Sequence, residues 1–112
     1  KLSYNGNFRD DKRQGEWLFY WNNGQVADIG HFKNNKREGK WLFYYATGQL
    51  FKKGNFKNDK REGEWFGYTE EGRLDERGSY KNGLKEGEWI FYQNNSQLPL
   101  KVTFKNGEKI SD

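Results

Sequence analysis

Lys33–Tyr44 reads KNNKREGKWLFY, and Lys57–Tyr68 reads KNDKREGEWFGY, almost the same residues 24 positions further on. Laid out at that period, the whole chain falls into register without a gap: GEWLFYW from Gly15, GKWLFYY from Gly39, GEWFGYT from Gly63 and GEWIFYQ from Gly87. Trp17, Trp41, Trp65 and Trp89 share one slot, and Tyr20, Tyr44, Tyr68 and Tyr92 share another. A second glycine recurs as Gly6, Gly30, Gly54 and Gly78, with an aromatic two places beyond it at Phe8, Phe32, Phe56, Tyr80 and Phe104. A fixed period of roughly 20–50 residues marks an array in which one unit cannot bury its own face, so neighbours must stack.

The aromatic runs are short and bounded by Gly, which argues against helices. Asn23-Gly24 between two such runs predicts a β-hairpin; Thr47-Gly48 and Glu71-Gly72 are weaker versions and Asn95-Ser96 a decayed one. A two-residue turn at 47–48 sets Tyr45 opposite Leu50, Tyr44 opposite Phe51 and Trp41 opposite Gly54. The same arithmetic pairs Trp17 with Gly30 and Trp65 with Gly78. The recurring glycine then has a reason: a Trp ring can lie over a cross-strand residue that has no side chain.

The expected fold is all-β. It is an elongated, single-layer antiparallel meander of stacked hairpins, roughly nine short strands advancing about 10 Å per repeat. Twist or curl should turn it into a rod with a groove, hiding the aromatic face. One face stacks Trp41, Phe43, Tyr45, Leu50 and Phe56, and the other carries Leu42, Tyr44, Phe51, Lys53 and Asn55. The structural core is Trp17, Trp41, Trp65, Trp89, Gly30, Gly54, Gly78, Phe32 and Phe56. Residues 2–14 read as the second strand of a truncated repeat plus a connection, followed by repeats at 15–38, 39–62 and 63–86. Residues 87–112 form a degenerate terminal repeat, with Pro99 in a strand and Val102 in the glycine slot. On this reading the parent chain extends N-terminally and the array ends here.

Composition narrows the function. The 112 residues suit one array; apolar residues are 32% of the chain and aromatics 19%, so rings must build the core. With no Cys and one His, disulfides, thiolate metal sites, zinc clusters and a His-based triad are excluded, and neither metal nor cofactor is expected. No apolar run approaches the length of a membrane helix, and neither a signal peptide nor a compartment can be read. A net charge of +4 permits acidic partners without demanding nucleic acid, which the acids interleaved in the basic runs disfavour.

The carboxylates recur in slots, Glu16, Glu64 and Glu88 in one and Glu38, Glu62 and Glu86 in another, which suits solvated or salt-bridged groups. Asp28 and Asp75 break their slots without a His or nucleophile beside them, and His31 shares a slot with Asn7, Asn55 and Ser79. Catalysis needs unlike groups that converge. The chain reads as a non-enzyme.

The pattern Gly-x-Trp-x-Phe-Tyr followed by Gly-x-Phe-Lys-Asn resembles MORN repeats, and is most similar to the bacterial variant in proteins labelled YwqK-family antitoxins. That resemblance covers the chain from Leu2 to about Lys109. It implies a β-meander used as a binding platform for proteins or acidic lipid headgroups, sometimes self-associating; the antitoxin label implies a toxin partner. Gly67 and Thr69 replace cassette aromatics, so a uniform groove would meet a gap in the third repeat.

Two surfaces are candidates. The first is a ladder on the second face: Tyr20, Tyr44, Tyr68 and Tyr92 with Phe51, Lys53, Arg77 and Lys101, suited to a protein or an extended acidic peptide. Within it Tyr44 should lie beside Phe51 and Lys53 opposite Leu42. The second is a basic edge of Lys12, Arg13, Lys36, Arg37, Lys60, Arg61 and Lys85, suited to acidic lipid headgroups. Open edges also invite self-association, most of all at Leu2–Phe8.

Overall fold

Strand-forming aromatic runs alternate with turn residues along the whole chain, and the computed structural model, which describes residues 3–93 and 98–111, follows that alternation. The strands are β1 (Ser3–Arg9), β2 (Lys12–Tyr20), β3 (Val26–Lys33), β4 (Lys36–Tyr44) and β5 (Leu50–Lys57). They continue as β6 (Lys60–Tyr68), β7 (Leu74–Lys81), β8 (Leu84–Phe91), β9 (Leu100–Lys105) and β10 (Glu108–Ser111). All ten lie in one antiparallel sheet in strict chain order, within an elongated body of 48 × 31 × 18 Å. The tenth strand exceeds the expected nine because Asn106-Gly107 makes one more tight turn. Leu2 and the decayed turn at Asn95-Ser96 lie outside the described residues.

Two kinds of turn alternate. Asp10-Asp11, Asn34-Asn35, Asn58-Asp59, Asn82-Gly83 and Asn106-Gly107 have positive φ at both positions, the two-residue geometry that matches strand twist. Asn and Asp enter this region at low cost because their short polar side chains bond locally. The other turns are longer than expected. Gly24 donates its N–H to the Trp21 carbonyl at 2.9 Å and Trp21 donates to Gln25 at 2.8 Å, a three-residue loop closed by a left-handed glycine. Tyr45–Gln49 and Thr69–Arg73 repeat it.

The extra loop residue shifts the register at the strand ends. Trp41 pairs with Gly54 as expected, but Tyr44 pairs with Leu50 rather than Phe51. Leu50 therefore moves to the face of Tyr44, and Phe51 packs on Tyr45 with ring centroids 4.7 Å apart. Tyr45 thus packs on Phe51, while the rings against Trp41 are Phe32, Phe43 and Phe56.

The aromatic core is built at the joints between hairpins. Between β3 and β4, Ile29 pairs with Leu42 and His31 with Glu38, so a bulge containing Gly39 (φ +75°) faces Gly30. The Trp41 ring folds over Gly30 so closely that a Cβ there would lie 2.1 Å from it. Its indole N–H donates to the His31 carbonyl at 3.0 Å. Trp17 over Gly6, Trp65 over Gly54 and Trp89 over Gly78 repeat both contacts. This corrects the expected reason for the glycine. Trp17 does pair with Gly30, yet the ring lying on Gly30 comes from the next hairpin, because the bulge tips Trp41 across the joint.

The rings then close on one another. Phe32 meets Trp17 and Trp41 edge-on, with centroids at 5.8 and 5.1 Å, and Phe56 sits likewise between Trp41 and Trp65. Trp17, Trp41, Trp65 and Trp89 are at most 3% exposed. Each such ring removes roughly 150–250 Å² from water, worth about 4–6 kcal/mol before ordering entropy.

Each tight turn after the first is also bonded to the repeat before it. Glu38, Glu62 and Glu86 accept the backbone N–H of Asn58, Asn82 and Asn106, and Gln14 does the same for Asn34. Carboxylates expected to be solvated or salt-bridged thus satisfy turn donors instead.

At the ends, Val102 occupies the glycine slot opposite Trp89, while Pro99 precedes β9 rather than lying within it, since Pro cannot donate to the ladder.

The joint separates two glycines of different meaning. Gly54→Ala should cost about 2–3 kcal/mol in urea unfolding, and Gly54→Asn at least as much, because both drive a Cβ into Trp65. At Gly63, whose φ is +77° in open space, Ala should cost about 1–2 kcal/mol and Asn clearly less, since only backbone handedness is at stake there.

Candidate functional site

With the tryptophan face filled, the opposite face is left open. Leu18, Ile29, Leu42, Lys53, Phe66, Arg77, Ile90 and Lys101 are consecutive cross-strand partners, one per strand from β2 to β9. Directly paired residues share a face, so these side chains form one unbroken row along the rod. Arg77 and Lys101 are exposed and the others half-buried. The Lys53 ammonium lies 5.2 Å from the Phe66 ring. A hollow of about 310 Å³ opens beside this pair, lined also by Lys40, Asn55 and Glu64. Another of about 250 Å³ runs along Ile29 and Leu42.

Lys53 lies opposite Leu42 as the sequence indicated. Tyr20, Tyr44 and Tyr68 end β2, β4 and β6 and pair with Val26, Leu50 and Leu74; Tyr92 follows β8, its N–H bonded to Asp75. Tyr44 borders a hollow with Val26 and Ile29, so the tyrosines flank the row on the loop side. Phe51 does not join them, for it is held by Tyr45. Sequence reasoning left Leu18, Ile29, Phe66 and Ile90 out of the site. The signal existed: Leu18, Leu42, Phe66 and Ile90 recur at the same 24-residue spacing immediately after each Trp.

The basic edge is half corrected. Arg13 lies 4.5 Å from the Phe32 ring, Arg37 5.0 Å from Trp41, Arg61 4.9 Å from Trp65 and Lys85 4.9 Å from Trp89. These four cations roof the aromatic core rather than line an edge. Strand alternation is the reason: neighbours point to opposite faces, so Lys and Arg of one Lys-Arg pair cannot both reach the same surface. Lys12, Lys36 and Lys60 remain outside, and each is paired directly with another cation: Arg9 with Lys12, Lys33 with Lys36, Lys57 with Lys60. All six are exposed.

The third-repeat gap is closed by an ion pair. Gly67, in the slot of Phe19 and Phe43, lies between Lys52 and Glu76 in the ladder, and the Lys52 ammonium reaches Glu76 at 2.6 Å. Asp28, in the same slot as Lys52 and Glu76, sits instead between Phe19 and Phe43. Burial pushes its carboxyl above the ordinary range, against a smaller opposing effect of Arg37. The Tyr45 phenol is also pushed up, by burial and then by Glu70, Asp75 and Glu71, and it donates to the Tyr68 carbonyl at 2.7 Å.

The folded state binds the Asp28 proton more tightly than the unfolded chain does. Its stabilising effect is therefore complete in acid and is lost as pH rises through the raised folded value. Asp28→Asn should accordingly be more stable than wild type at pH 7, with the difference vanishing below the model-peptide value of 3.8. Thermal unfolding at both pH values reads this out.

The sequence profile of a family described as MORN repeat variant matches the chain four times, at residues 13–34, 37–58, 61–82 and 85–106. Each match begins at a cation roofing the core, Arg13, Arg37, Arg61 or Lys85, and ends at the first Asn of a tight turn. No curated protein sequence matches. With four units covering most of its length, the chain belongs to the MORN repeat variant family.

Proposed function

We propose that this array is a non-catalytic scaffold that holds a protein partner along its second face. The unbroken row from Leu18 to Lys101 supports this reading: it is a half-exposed strip in which aliphatic residues give way to alternating cations and apolar side chains. Interfaces combine such apolar centres with aromatic and cationic groups. Slots that recur unchanged, such as Trp and Gly, are consumed by the joints; the row is free of that duty, passing from Leu18, Ile29 and Leu42 to Lys53 and Arg77, and so can be shaped to a partner. An antitoxin-like role is one case of it, with a toxin as the partner.

A second reading, binding of acidic phospholipid headgroups, draws on the pairs Arg9/Lys12, Lys33/Lys36 and Lys57/Lys60. Like charges directly opposite in a ladder destabilise it, and an anionic surface would relieve that repulsion.

The two readings differ in salt response and in residues. Capture of a protein by the immobilised array should persist from low to physiological salt, and Tyr44→Ala with Tyr68→Ala should weaken it at least about tenfold while near-ultraviolet circular dichroism stays native. Sedimentation with anionic vesicles that falls steeply with salt and is lost on Lys33→Glu with Lys57→Glu, with no protein captured, would replace the first reading by the second.

A further inference from the structure

The row on the second face changes character at its middle. From β5 onward it reads Lys53, Phe66, Arg77, Ile90, Lys101, each the direct cross-strand partner of the next. The cations sit on alternate strands, so they recur once per two strand spacings, roughly 9.4–9.8 Å. None of the three makes an ion pair among the described residues, in contrast to Lys52, which is held by Glu76 on the other face. Tyr44, Tyr68 and Tyr92 accompany them at the same interval in sequence.

That interval selects a partner conformation. A polyproline II segment has three residues per turn and rises about 3.1 Å per residue, so one face repeats every ~9.3 Å. A β-strand running along the rod advances about 10 Å in three residues, but its third residue points to the opposite side. An α-helix returns to one face after seven residues, about 10.5 Å, and drifts out of register by about 1 Å per repeat. Only the polyproline II period keeps step. We propose that the half of the second face from Lys53 to Lys101 binds a polyproline II segment of a protein partner carrying an acidic residue at every third position.

In this arrangement the acidic side chains meet Lys53, Arg77 and Lys101, and the intervening residues pack on Phe66 and Ile90. Aromatic-lined surfaces suit such segments because the segment is already extended and loses little entropy on binding. Glu64 lines the same hollow as Lys53 and Phe66, which disfavours a partner with acids at every position and favours periodic ones. Sheet twist turns successive strands by about 20–25°, so Lys53 and Lys101, four strands apart, face directions about 80–100° apart and the segment must wind with the rod to meet all three cations.

The inference rests on the second-face reading above, and peptides of fixed spacing separate the two. Fluorescence anisotropy at low salt would compare labelled peptides of equal Glu content, one built of Glu-Pro-Pro triplets and one of Glu-Pro-Pro-Pro quartets. The triplet peptide should bind about tenfold tighter. Arg77→Gln should reduce its binding severalfold, and Lys53→Glu with Arg77→Glu and Lys101→Glu should abolish it, with tryptophan emission unchanged to certify the fold. Equal binding of both peptides would overturn the register while leaving an acidic partner on this face intact. Binding of neither would overturn the inference outright, with the capture experiment still deciding the broader reading.

Discussion

The indoles of Trp17, Trp41, Trp65 and Trp89, each lying on a bare glycine, make the contact on which the rest of the structure depends. A single-layer sheet has no second layer against which to bury a face. This chain solves the problem by burying each ring against its own backbone. Gly30 leaves a space where a Cβ would stand 2.1 Å from the Trp41 ring, the bulge at Gly39 tips the ring into it, and the indole N–H bonds the adjacent carbonyl. Bulge, glycine and Trp are one device. Because it operates between consecutive hairpins, each repeat is stable only through its neighbour, and the array behaves as a one-dimensional chain of joints.

The charged residues serve the same joints. A chain with 32% charged residues looks ill-suited to burial, yet its recurring Arg and Glu slots are structural. Arg37 lies over Trp41 and Phe56, a site where a planar, weakly hydrated guanidinium costs less to desolvate than an ammonium. Glu38 fixes the next tight turn through the Asn58 N–H. Where the aromatic pattern fails at Gly67, the Lys52–Glu76 pair fills the room the missing ring leaves. The departure from the repeat is compensated in the same layer, and the rod stays continuous there.

Much of this was legible from the period alone. Strand content, meander order and the Trp–Phe core follow from residues that recur at 24, because recurrence at that length allows only stacked units. What was illegible were the single-residue irregularities. One extra loop residue moved Phe51 from Tyr44 to Tyr45, and one bulge transferred the ring on Gly30 from Trp17 to Trp41. Turn length and bulges depend on φ values that Gly and Asn allow but do not announce. The same parity decided the site. Lys36-Arg37 looks like a pair of cations on one edge, whereas alternation sends Lys36 to solvent and Arg37 to the core.

The glycine slot of the joint is kept at Gly6, Gly30, Gly54 and Gly78 and departs from the pattern at Val102. In the four equivalent slots even a methyl-sized Cβ would approach the ring to 2.1 or 2.2 Å, so a branched side chain there forbids the contact altogether. Val102 instead occupies the space itself, at 8% exposure, opposite Trp89. A one-residue change at the glycine slot thus removes the room that the ring-on-backbone contact needs at that position. Because the Trp, Gly and Arg slots are committed in this way, sequence freedom is concentrated on the second face, where the slot of Ile29 is refilled as Lys53, Arg77 and Lys101 without disturbing any joint.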